Sequence, residues 1–248
     1  MNKLTSQTYW EKYYSSTKTQ KTQIQAIISE YDKYWDIVLS NNNENPPKTI
    51  IEIGGYPGRF LAYLSEKYNL VPTCLDFNSD KEKINQCMAS FNIKEYKIIQ
   101  ADIFDYEPNE KFDIVISNGF IEHFENYQEV MDKHTLFLKE GGTMLIMIPN
   151  KRWLRKWYGY LVDYKNLKAH NLKCMKKSTF TDYAVRNNLK LICCEYFNGF
   201  PFTVHQKLNF FQKMIFIPTR LFFKKINSTL AKHPSKYYSS SLIAVYKK

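Results

Sequence analysis

No run of apolar residues in the 248-residue sequence approaches the roughly 18 needed to span a bilayer, so no membrane-crossing helix is expected. The opening residues, MNKLTSQTYWEKYY, lack the apolar stretch of a secretory leader, and the chain is therefore expected to be cytoplasmic. Its five cysteines (Cys74, Cys87, Cys174, Cys193 and Cys194) are odd in number and show no C-x-x-C spacing. That argues against a disulfide framework and a structural zinc site, and predicts reduced, mostly buried thiols. Neither G-x-G-x-x-G nor a G-K-S/T phosphate loop is present, which speaks against dinucleotide and nucleoside-triphosphate cradles. No internal repeat is visible. The most unusual absence is of acids: from Tyr196 to Lys248 there is no Asp or Glu, against nine basic residues.

The net charge of +11 is thus unevenly spread. Residues 1–150 carry 15 basic and 21 acidic side chains, whereas 151–177 carry nine basic side chains and only Asp163. Two basic segments following an acidic part point to an anionic partner: a phosphate-bearing or otherwise acidic small acceptor, a nucleic acid, or an anionic membrane surface.

Hydrophobic residues make up 44%, enough for a full core. Ile24, Ile27, Ile28, Tyr31, Trp35 and Val38 recur at helical spacing, predicting one amphipathic helix over Gln20–Leu39. Asn41-Asn42-Asn43 and Pro46-Pro47 read as a loop, which sets a helical cap (1–45) apart from a main domain (46–248). Apolar strands then alternate with helices: strands at 49–53, 71–77, 96–101, 112–117 and 143–148, with Lys139–Gly142 as a helix stop and turn before the last. A sixth strand (190–197) and a seventh (242–246) follow. Continuous apolar strands alternating with helices predict an α/β fold with a doubly wound, mostly parallel seven-stranded sheet. Basic insertions fall at about 151–177 and, between the last two strands, 199–238. In the second, Leu208, Phe211, Ile215, Leu221, Phe222 and Ile226 suggest two short helices broken at Pro218.

Open α/β sheets bind ligands at the carboxyl ends of their strands. The first strand runs into Glu52-Ile53-Gly54-Gly55-Tyr56-Pro57-Gly58-Arg59, an E-x-G-x-x-x-G pattern whose glycines admit a ligand close to the backbone at a helix N-terminus. A carboxylate at that strand end suits the cationic amino-acid moiety of S-adenosylmethionine. Asp76 closes the second strand, where a carboxylate accepts ribose hydroxyls. Asp102-Ile103 follows the third, where an acid accepts the adenine amino group and an apolar neighbour covers the ring. Ser117-Asn118-Gly119 ends the fourth.

These segments, IIEIGGYPGRF, CLDFN, ADIFDY, FDIVISNGFIEHF and LKEGGTMLIMIPN, resemble in order and spacing the class I S-adenosylmethionine-dependent methyltransferases, in particular the small bacterial methyltransferase-domain proteins. The resemblance covers about residues 5–150. It implies a Rossmann-like fold and S-adenosylmethionine as cofactor, held by Glu52, Gly54, Gly55, Gly58, Asp76, Phe77, Asp102, Ile103 and Asn118. The opening Tyr9, Trp10 and Tyr13 resemble the aromatic segment that closes over the cofactor in that family. One departure is Tyr56, which stands where the family's middle glycine is usual. His123, just past the fourth strand, is the candidate catalytic residue, lining the site and acting as a base. His170 and His205 lie in the inserted, substrate-side segments. No metal is expected, since no cluster of ligands is legible.

The resemblance further implies O-methylation of a sugar or other small acidic acceptor in surface-polysaccharide synthesis. An RNA methyltransferase using the basic surface is the alternative, although SNGFIEH differs from the N/D-P-P-Y/F of RNA amino-group methylases. A non-catalytic binding subunit of the same fold is a further alternative, opposed by the intact Glu52, Asp76 and Asp102. For the basic insertion, one expectation is a roof over the acceptor pocket, and the other is peripheral contact with an anionic membrane at its inner face.

Overall fold

A computed structural model describes residues 3–14, 20–39, 48–78 and 80–248. The expected loop at Asn41–Asn43 and Pro46–Pro47, and with it the boundary at 45/46, lies outside these residues. Seven strands, β1 (Thr49–Ile53), β2 (Val71–Asp76), β3 (Lys97–Gln100), β4 (Phe112–Asn118), β5 (Leu138–Pro149), β6 (Lys190–Phe197) and β7 (Ser241–Lys247), form one sheet in the order β3-β2-β1-β4-β5-β7-β6. β7 is antiparallel to both its neighbours, and the other pairs are parallel. The order reverses beside β1, so β1 and β4 diverge into a crevice at their carboxyl ends.

Helices cover both faces. α1 (Gln7–Tyr14), α2 (Lys21–Ile28), α3 (Asp32–Leu39), α4 (Arg59–Tyr68) and α5 (Lys81–Ser90) precede β3; α6 (Tyr127–Leu136) links β4 to β5; α7 (Leu154–Val162), α8 (Tyr164–Lys168) and α9 (Lys177–Arg186) link β5 to β6; α10 (Phe210–Lys232) links β6 to β7. Successive strand side chains point to opposite faces. Ile50, Ile114 and Leu145 therefore pack with Ile24, Trp35, Leu61 and Ile84 of α2–α5, while Ile51, Val115 and Ile146 pack with Val130, Phe180 and Tyr183 of α6 and α9. This two-sided burial explains why the strands read as continuous apolar runs.

Three expected elements differ. The helix over Gln20–Leu39 is split into α2 and α3 by a 3-10 turn at Ser29–Tyr31. Both halves bury apolar faces, Ile24 and Ile28 in one and Tyr34, Trp35, Val38 and Leu39 in the other. Asp32, which opens α3, accepts hydrogen bonds from the Tyr63 hydroxyl at 2.8 and 3.0 Å and pairs with Lys67 at 2.7 Å. Lys139–Gly142 is not a helix stop. α6 ends at Leu136, and the glycines lie inside β5, where pairing with β4 jumps from Phe112–Leu138 to Ile114–Thr143. The extra residues bulge out of the strand, with Gly141 at φ +72°. Pro218 does not break the last insertion, because α10 runs through it for 23 residues. No residue of α10 is buried, so the carbonyl that loses its N–H partner at Pro218 lies on an exposed helix that water can reach. A reciprocal capping box fixes its start: Asn209 accepts from the Gln212 N–H at 2.9 Å, and Gln212 accepts from the Asn209 N–H at 3.1 Å.

Candidate active site

The β1–α4 turn brings backbone into the crevice. Gly54 has φ +72°, and a Cβ there would lie 2.2 Å from the Phe120 ring. Gly58, at φ +88°, caps α4. Gly55 packs under the turn, against Cys74 and Glu52. Tyr56, in place of the usual glycine, ties the turn to β2: its N–H donates to Asp76 Oδ2 at 3.0 Å, and its hydroxyl donates to Asp80 at 2.9 Å.

The three strand-end acids occupy different environments. Glu52 is 2% exposed; Asn118 Nδ2 donates to its Oε1 at 2.8 Å, while Glu52 Oε2 and Asn118 Oδ1 have no hydrogen-bond partner among the described residues. Burial pushes the Glu52 carboxyl up to about 8 against the opposing pull of Asn118 and Arg59. Asp76 accepts one backbone N–H on each oxygen, from Tyr56 and from Asn78 at 2.7 Å; burial raises its pKa as well. Asp102 pairs with Lys3 and accepts the Phe104 N–H at 3.2 Å. Beside it lie buried Ile103 and half-exposed Phe77.

Two cavities meet here. The first, about 250 Å³, is lined by Gly54, Asp76, Phe77, Asp102 and Ile103. The second, about 510 Å³, lies beneath the segments after β5 and β6 and is lined by Asn118, Arg59, Lys151, Arg155, His170 and His205. Trp10, Tyr14, Gly119 and His123 line both. Of the aromatic opening segment, Trp10 stands at the junction, packed edge-on to His123 at 4.6 Å. Tyr9 and Tyr13 line the second cavity and not the first, with Tyr13 stacked on His205 at 5.5 Å.

At the junction, His123 Nδ1 lies 2.6 Å from the Ala169 carbonyl. A carbonyl only accepts, so the proton sits on Nδ1 and Nε2 presents a bare lone pair. Burial lowers the His123 pKa to about 4, so the ring is neutral. His170, 4.6 Å away ring to ring, is held the same way by the Asn166 carbonyl at 2.6 Å, and burial drives its pKa well down. Glu122 is 1% exposed, neither of its carboxylate oxygens has a hydrogen-bond partner among the described residues, and burial raises it to about 8. The expectation of no ligand cluster thus needs correcting: one ligand atom from each of Glu122, His123 and His170 lie within 4.8 Å of one another.

The second cavity is lined by three cationic side chains, Arg59, Lys151 and Arg155, and by two carboxyl groups, Glu122 and Asp163, the latter paired with His205 at 2.9 Å. Lys151 is in no ion pair among the described residues, and burial, then Arg155, lower its pKa to about 7. Arg155 donates to the Asn150 and Ser240 carbonyls at 2.7 and 2.8 Å. Arg59, Tyr14, Glu122, Lys151 and Arg155 were not singled out as site residues from sequence. Only Arg59, beside Gly58 at the start of α4, carried a local signal.

The residues fit S-adenosylmethionine. On the first cavity Asp76 keeps lone pairs for ribose hydroxyls, and Asp102 with Ile103 suits adenine; Glu52, Gly55 and Gly58 line neither cavity, and Asn118, bonded to Glu52, lines the second, at the side where the ammonium group would fall. Two curated plant relatives align over part of the chain. A probable (S)-tetrahydroprotoberberine N-methyltransferase of Papaver bracteatum is 25% identical over 40% of this chain and 28% of its own length. The (S)-coclaurine N-methyltransferase of Papaver somniferum is 30% identical over 27% and 19%. The chain thus matches less than a third of the length of either relative. A SAM-dependent methyltransferase from Archaeoglobus fulgidus superposes with a TM-score of 0.59 at 15% identity, over 96% of this chain and 98% of that one. Coclaurine N-methyltransferase bound to N-methylheliamine and SAH gives 0.58 at 14%, over 89% and 72%. The family described as "Methyltransferase domain" matches residues 22–194. With that match over most of its length, and with the sheet order and the strand-end acids in place, the chain belongs to the methyltransferase-domain family of the class I, S-adenosylmethionine-dependent fold.

Proposed function

We propose that this chain methylates an oxygen of a small acidic acceptor, with S-adenosylmethionine in the first cavity and the acceptor in the second. The observation that carries the reading is the junction: a cavity lined by strand-end acids opens on a cavity lined by Arg59, Lys151 and Arg155, with His123 on both walls. When bound, the cofactor supplies a methyl group on a sulfonium sulfur, which is left as a neutral thioether after transfer. The chain's share is to orient the acceptor, exclude water and manage one proton. Trp10 and Tyr14 wall the junction. The bare Nε2 of neutral His123 stands at the contact point, where an acceptor hydroxyl can give up its proton, and Lys151 and Arg155 supply positive charge for an acidic group. Calorimetric titration with S-adenosylhomocysteine tests the cofactor half. One site per chain is expected, weakened at least tenfold in Asp76→Ala, about 1.4 kcal/mol or more. No heat in the wild-type chain contradicts the reading.

A sugar destined for surface polysaccharide, the finer reading, is supported by the sequence resemblance, and α10 favours a lipid-linked form of it. Pro201, Thr203 and His205 of the insertion line the acceptor cavity, whereas α10 turns outward, with Phe211 at 75% exposed and Phe210, Met214, Leu221 and Phe222 also open. α7 packs beside it and exposes Trp157 at 68%. Lys213, Arg220, Lys224 and Lys225 interleave with these side chains and residues 196–248 contain no acid, as an interfacial helix at an anionic bilayer requires. No helix among the described residues is long and apolar enough to cross a membrane. Flotation with anionic liposomes should show salt-sensitive binding that is lost when Lys207, Lys213, Lys224 and Lys225 become Glu. Absence of binding at low salt would leave an acidic acceptor free in solution.

A further inference from the structure

Glu122, His123 and His170 line the acceptor cavity with three ligand-type atoms within 4.8 Å of one another, and no hydrogen bond among the described residues engages the Glu122 oxygens. His123 Nε2 lies 3.6 Å from Glu122 Oε1, close to the spacing of two donors on one metal ion with bonds of about 2.1 Å. Both rings are fixed from behind. Each Nδ1–H donates to a main-chain carbonyl, Ala169 for His123 and Asn166 for His170, each at 2.6 Å. That is the outer support that orients imidazole ligands, and it leaves Nε2 as the free donor atom on each. Glu122 gives the strongest indication. A carboxyl group 1% exposed with both oxygens unpartnered carries a desolvation cost that a cation would offset. The neighbouring polar groups that bear on the cluster do not satisfy it. The Lys151 ammonium makes no ion pair with Glu122, and Trp10 meets His123 only through its ring edge.

We infer that Glu122, His123 and His170 form a site for one divalent first-row transition metal ion, open toward the acceptor cavity. Two imidazoles and one carboxylate are a donor set that binds Zn²⁺ and its neighbours in the series, and three protein ligands leave a position for an acceptor oxygen. The inference deepens the proposed O-methylation, because a cation there would lower the pKa of a bound acceptor hydroxyl so that its proton leaves to water, in place of its transfer to the His123 lone pair. It rests on that reading for its use but not for its existence. The ammonium of Lys151 lies on the same cavity and opposes the cation, so the site is expected to bind one ion of moderate affinity rather than a permanently locked one.

The test is titration of the chelator-treated full chain with ZnCl₂ by calorimetry, repeated with CoCl₂ while recording the visible absorption of the cobalt form. One equivalent per chain and a low-coordinate cobalt spectrum are expected. Glu122→Gln and His170→Ala should each weaken Zn²⁺ binding by about 100-fold or more and abolish the spectrum. Neither residue lines the first cavity, so affinity for S-adenosylhomocysteine should stay at the wild-type value in both variants, which also shows that they are folded. No zinc binding in the wild-type chain, or equal binding in wild type and both variants, overturns the metal site. If cofactor binding persists in that case, the methyltransferase reading stands with His123 as the base; loss of cofactor binding in the wild-type chain would instead count against that reading alone.

Discussion

The Lys3 ammonium sits on the Asp102 carboxylate, and 4.4 Å over the Phe77 ring, in the part of the first cavity that suits adenine. The segment is pinned from the other side, where Lys3 bridges Phe124 and the Leu4 N–H donates to the His123 carbonyl at 2.9 Å. Cofactor and Lys3 therefore compete for Asp102. The pair is partly open to water and is worth about 0.2–1 kcal/mol. Lys3→Ala should accordingly tighten S-adenosylhomocysteine binding by about two- to fivefold at low salt, as measured by calorimetry, with the gain shrinking as salt rises. Weaker binding in Lys3→Ala would mean that Lys3 helps to hold the cofactor instead.

Glu52 separates a ligand role from a structural one. Its folded pKa is raised to about 8, so the fold favours the neutral acid. The stability linked to that proton is complete below the ordinary carboxyl pKa and declines as the pH rises through about 8. Glu52→Gln should match the wild type in melting temperature at about pH 5 and exceed it by a few degrees at about pH 8.5. The same variant should bind S-adenosylmethionine at least tenfold more weakly, on the order of 1.4 kcal/mol, because it cannot supply a charge to the ammonium. Loss of stability at both pH values would make Glu52 a cap for α4.

His123→Ala should lower methyl transfer by about 100-fold or more while changing cofactor affinity far less. The comparison is single-turnover transfer against calorimetric binding. A parallel loss in both would reduce His123 to packing against Trp10.

Lys151→Ala should raise KM for an acidic acceptor about tenfold and leave cofactor affinity unchanged, since Lys151 lines the second cavity and not the first. Steady-state kinetics at pH 6.5 suit the test: burial lowers the Lys151 pKa to about 7, so the charge that should bind the acceptor is largely present there and is lost at higher pH. An unchanged KM would transfer the anion-binding role to Arg155 and Arg59.

The sheet was legible because two-sided burial writes each strand as an unbroken apolar run, and the positions of Glu52, Asp76 and Asp102 at or just past the ends of β1, β2 and β3 were legible with it. What escaped depends on contacts across long stretches of chain. His170 meets His123 only because the segment after α8 returns to the end of β4, where the Asn171 N–H donates to the Glu122 carbonyl at 2.6 Å. No spacing of 47 residues announces such a contact. Asp32, at the start of the second half of what the spacing reads as one helix, has its partners, Tyr63 and Lys67, on α4. Pro218 failed to end α10 because a local rule assumes a helix that must satisfy every carbonyl internally, and α10 has water on its surface.

Transfer of labelled methyl from S-adenosylmethionine into a fractionated extract of the source cell, by the wild-type chain and by Asp76→Ala, tests the central claim most directly. The label should enter a small-molecule fraction that anion exchange retains and ribonuclease leaves intact, and Asp76→Ala should abolish the transfer at limiting cofactor. Label in ribonuclease-sensitive material, or no transfer to any fraction, would contradict it.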